Sequence, residues 1–154
     1  MDMRRVARIR GVAVVAIVAA LVLALFAPAA SAGTGARRTL LKATNTTRVT
    51  RELRRLDLHA RLSELARRHS LRMARQDRLF HTNGPSYYGL GRGAWSWWGE
   101  NVGFTSGGAR DVHRAFMRSA PHRANILRPG FRRVAIGAVR VDGVLWVTEF
   151  FYQP

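Results

Sequence analysis

The sequence predicts an α+β fold: a three-layer α-β-α sandwich with a small antiparallel sheet between helices, preceded by a secretory signal peptide. Three observations carry that expectation. Apolar residues recur at steps of three and four through the middle of the chain. Two apolar strands joined by Asp142-Gly143 close it. A basic segment, then an apolar one, then small residues open it. Helices followed by strands, rather than alternating with them, exclude a doubly wound parallel sheet.

Met1 to Arg10 holds four arginines, Val12 to Ala27 is continuously apolar, and the next residues end in Ala30-x-Ala32. That is the order of a signal peptide over residues 1–32, with cleavage expected after Ala32. The apolar run falls short of the ~20 residues of a membrane span, and retention as an N-terminal anchor is the alternative. Both place the remainder outside the cytoplasm. Cleavage removes four Arg and one Asp, lowering the net charge from +17 to +14.

Residues 33–38 read as a flexible lead-in to a domain over residues 39–154. Thr39 to Arg48 suits a short helix with Leu40, Leu41 and Thr44 on one side. Leu56 to Phe80 is the strongest periodic segment. Leu58, Leu62, Leu65, Ala66, His69, Met73 and Ala74 share one stripe, and arginines fill the other. Asp57 is its expected N-cap, and Asn83-Gly84-Pro85 ends the pattern. His69 reads as a core histidine and His59 as a surface one. Thr82 to Ala94 is a loop.

Ala109 to Arg118 is a further amphipathic helix, with Val112, Ala115 and Phe116 inward. Pro121 fits the first turn of a short helix ending at Leu127, capped at Ser119-Ala120. Val134 to Val141 and Val144 to Tyr152 form a hairpin whose Asp-Gly turn suits type I′. Both strands are apolar at nearly every position, so the sheet is covered on both faces.

At 154 residues there is room for one domain. The absence of cysteine excludes disulfides, thiolate catalysis and thiolate zinc sites. The net charge rests on 25 Arg and a single Lys, a ratio that a proteome-wide Arg bias explains as well as phosphate binding does.

Only nine acidic residues occur, and one of them, Glu100, lies within Trp97-Trp98-Gly99-Glu100-Asn101-Val102-Gly103. A carboxylate among aromatics and glycines needs a partner. His81 and His122 are the candidates, and the fold is expected to bring all three into one cleft. Two imidazoles and a carboxylate with an open fourth position make a catalytic zinc ligand set, although the spacing is not His-Glu-x-x-His. Without metal, Glu100 would fix the tautomer of one histidine for general-base hydrolysis, with Ser119 as nucleophile beside His122. Ser119 reads first as a helix cap. A polar network that merely holds the Pro85–Gly99 loop is the structural alternative. Asn101 reads first as satisfying backbone groups in a tight Gly99–Gly103 turn, and second as a ligand contact. Trp95, Trp97 and Trp98 read first as core packing and second as a wall for a sugar or acyl chain, since three aromatics in four positions cannot all point inward.

Leu62-x3-Ala66-x2-His69-Ser70-x2-Met73-Ala74, His81, Gly99-Glu100-Asn101-Val102, Ser119-Ala-Pro-His122-Arg-Ala-Asn125-Ile-Leu, Ile136-Gly137 and Val147-Thr148-Glu149-Phe150 occur in that order. This resembles the bacterial, cysteine-free branch of the CAP superfamily (the SCP domain) from about Leu40 to Phe151. The resemblance implies a secreted α-β-α domain whose cleft is lined by two His and two Glu, often with a divalent cation. Carried over, His81, Glu100 and His122 match. The second glutamate would fall near Ser119 and is absent, and Glu149 stands where the family usually has Gln. The expected function is a secreted cleft that binds a ligand and Zn2+ or another divalent cation. A peptidase-like hydrolase and a cationic adhesin are the alternatives. Expected partners are lipid, cell-wall glycan or protein, and anionic envelope surfaces; nucleic acid is not expected for an exported chain.

Overall fold

The computed structural model describes residues 30–154, with side chains from Gly33 onward. Residues 1–29, which hold nearly all of the expected signal peptide, lie outside the described residues. The elements run α1 (Ala30–Val49), β1 (Asp57–Leu58), α2 (Ala60–Arg75), a 3-10 turn (Gly84–Ser86), β2 (Trp97–Thr105), α3 (Ala109–Arg118), α4 (Ala120–Leu127), β3 (Arg133–Val141) and β4 (Val144–Gln153). The strand order is β1-β3-β4-β2.

The β3–β4 hairpin is the core of the sheet. Asp142 and Gly143 both have positive φ (47° and 77°), as a type I′ turn requires. Alternation along the strands divides the core. Val134, Ile136, Val147 and Phe151 pack with Leu40, Val112, Phe116 and Ile126 beneath α1, α3 and α4. Ala135, Val139, Trp146 and Phe150 turn the other way, toward α2, with Leu62, Ala66, Met73 and Tyr88. Each large side chain so buried contributes about 1.5–3 kcal/mol. Gly137 lets α2 approach, since a Cβ there would collide with the backbone of Ala66 and Arg67.

Six expectations of the fold change. The lead-in at 33–38 is helical, because α1 begins at Ala30. Asp57 caps no helix; with Leu58 it forms β1, parallel to Arg133–Val134, which makes the sheet mixed rather than purely antiparallel. His59 takes over the cap, its Nδ1 accepting from the Leu62 N–H, and α2 ends at Arg75, well before Phe80. On α3, Ala115 faces solvent and His113 is buried in its stead. The Gly99–Gly103 stretch is not a turn but the middle of β2, paired antiparallel with β4 over nine residues.

Candidate functional site

β2 is an edge strand, and its alternation sends neighbouring residues of Gly99-Glu100-Asn101 to opposite faces. Glu100 lies opposite Phe150, on the α2 face, and Asn101 opposite Glu149, on the α4 face. Gly99 has no side chain because Asn125 of α4 occupies the space a Cβ would take.

On the α2 face, the loop after α2 folds onto Glu100, whose side chain is 1% exposed. Its Oε1 accepts from the Thr82 N–H at 2.9 Å and contacts His81 Nδ1 at 2.9 Å. Its Oε2 accepts from Thr82 Oγ1 at 2.8 Å and Tyr88 OH at 3.3 Å. Four protein groups therefore satisfy this carboxylate. His81 is held by Nδ1 while its side chain remains 57% exposed. Burial, reinforced by the Glu100 charge, raises the Tyr88 phenol far above its usual range, so it stays a donor. His69 lies within the field of the same carboxylate. Burial dominates there and pushes its imidazole down to about 4. As expected it is a core residue, packed on Phe80 and Tyr87.

On the other face, α4 begins where Ser119 stands in extended backbone at its N-cap. The hydroxyl does not cap the helix; it meets His122 Nδ1 at 2.9 Å. The His122 ring packs on Phe116, and burial, followed by the charge of His81, lowers its pKa. Asn101 Nδ2 donates to the His122 carbonyl, and its Oδ1 accepts from Asn125, which also reaches the Glu100 carbonyl. Asn101 thus serves backbone, as expected, but by tying α4 to β2. The two histidines approach the sheet edge from opposite faces and interact electrostatically.

Trp98 covers Gly84, where a Cβ would come within 2.7 Å of the indole, and stacks on Phe150. Trp97 points the other way, 59% exposed, beneath the Arg128 guanidinium. They do not form one wall.

Among the described residues no group of three or more His, Cys, Asp or Glu is placed to hold an ion, and Glu100 is committed to its four partners. Thr82 and Tyr88 support the site without having been singled out in the sequence, where nothing distinguishes them from ordinary loop residues, and Asn125, part of the motif after Ser119, has no role assigned to it there. None of the four hollows of 330–470 Å3 is lined by His81, Glu100 or His122.

The profile of the CAP, or cysteine-rich secretory protein, family matches residues 41–150. No curated relative matches in sequence. Among solved structures, the chain is similar to an extracellular SCP-domain protein from Bacillus anthracis (19% identity, TM-score 0.69), covering 79% of this chain and 41% of that one. It also resembles an outer surface protein from Borrelia burgdorferi (12%, TM-score 0.68; 77% and 92% covered). A cysteine-rich secretory protein from Staphylococcus aureus is similar too (19%, TM-score 0.62; 79% and 40% covered). The chain spans about two fifths of the length of the first and third. At these identities the likeness is one of fold.

Proposed function

Because the chain belongs to the cysteine-rich secretory protein (CAP) family, we propose that it is a binding protein acting outside the cytoplasm, with its ligand held at the β2 edge between His81 and His122. The N-terminal leader pattern supports export, as does the description of the structural neighbours as extracellular or outer surface proteins. One observation carries the choice of binding over catalysis: Glu100, both of whose oxygens are engaged, orients His81, whereas the hydroxyl of Ser119 meets the other histidine, His122, so acid, base and nucleophile are not in line. A carboxylate so held orients His81 and is not free to take a proton from water. The ligand is a lipid or cell-wall glycan offering an apolar or sugar face to Trp98 and polar groups to the two imidazoles. A divalent cation fits this reading only at the Nε2 atoms of His81 and His122, with Glu100 behind His81.

Co-sedimentation with isolated cell-wall glycan and with lipid vesicles tests the proposal. His81→Ala and His122→Ala should each weaken binding about 10-fold, the loss of roughly one hydrogen bond. Raising salt from 0.1 to 0.5 M should change little, because contacts made in a partly buried site are weakly screened. Binding that survives both substitutions removes the reading.

Hydrolysis is the second reading, favoured by the Ser119–His122 contact. These residues are three apart on one helical turn, however, and no carboxylate orients the imidazole, so the pair falls short of a triad. Under this reading Ser119→Ala abolishes turnover of peptide or ester substrates; under ours there is no turnover to lose.

A further inference from the structure

A groove follows the seam between α1 and α3, on the face of the sheet away from Glu100. Three hollows of about 400, 330 and 380 Å3 make it up. Thr39, Arg110 and Arg114 line both the first and the second; Thr47, His113 and Arg114 line both the second and the third. Lys42, Arg51, Arg110, Arg114, Arg118 and Arg140 stand around it. Its one acid, Asp111, is taken up by Arg114 and by the Gly108 N–H. α3 sets Arg110, Arg114 and Arg118 at steps of four, about 6 Å apart along its axis. Between the cations lie Thr39, Thr46 and Thr47, the Thr39 hydroxyl donating to the Gly35 carbonyl. His113, which lines two of the hollows, is 7% exposed; its Nε2 meets Thr47 Oγ1 at 2.9 Å and its Nδ1 has no partner among the described residues.

A general Arg excess scatters charge over a surface. Here six cations, the only lysine of the chain among them, line one concave seam. We propose that this groove binds an extended phosphodiester-linked polymer, its phosphates meeting Lys42, Arg110 and Arg118, while Arg114 stays paired with Asp111. The concave form favours a single chain over a lipid surface, and the exposed aromatics that would anchor to a membrane, Trp97, Trp98 and Phe104, stand on β2. The groove uses neither His81 nor His122, so it is independent of the cleft reading.

Binding of the exported protein to a synthetic poly(glycerol phosphate) tests it, with polyglutamate and phosphatidylglycerol vesicles as the comparison probes. Lys42→Ala/Arg110→Ala/Arg118→Ala should lower affinity about 30-fold or more. Arg61→Ala/Arg68→Ala/Arg75→Ala, which removes the same charge from exposed positions on α2, should lower it less than about 3-fold. His81→Ala should leave it unchanged, and circular dichroism should report both triple variants folded. Equal losses in the two triple variants would make net charge the whole cause and overturn the proposal. Polyglutamate or vesicles binding as tightly as the phosphate polymer would overturn it too.

Discussion

Glu149 is fully buried on β4 opposite Asn101, and neither carboxyl oxygen has a hydrogen-bond partner among the described residues. Burial pushes its pKa up to about 8, with Asn101 offsetting only part of that. The native state therefore keeps a proton that the unfolded chain releases near 4.5, so stability falls as pH rises from about 4.5 to about 8. His69 acts with the opposite sign. Held neutral down to about 4, it loses stability as pH falls from about 6.5 to about 4. Between about 6.5 and 8 only Glu149 of this pair contributes, with a slope of roughly 1.4 kcal/mol per pH unit. Glu149→Gln, a neutral isostere, should flatten that slope and stabilise the protein at pH 8 by a few kcal/mol, read from urea midpoints at pH 6.5 and 8. Glu100→Gln should behave differently. It leaves Thr82 and Tyr88 facing an amide that offers one acceptor in place of two, at a cost of about 2–4 kcal/mol. A Glu100→Gln protein as stable as the wild type would mean that the network does not hold the His81 loop.

Some elements could be read from periodicity and others could not. α2, α3 and the β3–β4 hairpin bury regular stripes, the first turn of α4 is spelled in Pro121, and the hairpin turn in Asp142-Gly143. β2 could not be read as a strand because Gly99, Glu100, Asn101 and Gly103 are poor strand formers. Its pairing with β4 overrides their propensity, and Asn125 and Phe116 occupy the space where side chains at the two glycines would stand. Arg48 was hidden for another reason. In the sequence it is one arginine among many near the end of a weak helix, yet it is fully buried. Its guanidinium donates to the carbonyls of Arg54, Ile126, Arg128 and Phe131, fastening the end of α1 to the segment that carries α4 into β3. Burial lowers its pKa, followed by repulsion from Arg132. Arg48→Met keeps most of the volume but strands four carbonyls, and should cost about 3–5 kcal/mol in chemical denaturation. Gly137→Ala should be worse: the added Cβ meets α2 backbone, which cannot turn aside as a side chain would, and no soluble folded protein is expected.

Across the whole molecule, the pairing of His81 with Glu100 was legible because an isolated acid in an Arg-rich chain demands a partner. The position of His122 on the opposite face was not, since it depends on β2 being an edge strand. The same excess of arginine shapes the molecule's response to salt. Residues 33–154 carry +14, after four Arg and one Asp are subtracted with residues 1–32 from +17. Three of the acids spend their charge locally: Glu64 on Arg67, Asp111 on Arg114, and Glu100 inside the site. Glu149 is protonated at neutral pH, which adds to the imbalance. The folded state thus gathers unpaired cations at short range that the unfolded chain can spread apart, and self-repulsion opposes folding. At 0.01 M ionic strength this repulsion reaches ~30 Å, about the width of the domain; at 0.5 M it is confined to a few ångström. Adding sodium chloride from 0.01 to 0.5 M should therefore raise the melting temperature by several degrees, as roughly 1–2 kcal/mol of repulsion is screened. Most of the rise should come below 0.15 M. A melting temperature that falls with salt would mean that the local ion pairs outweigh the net charge.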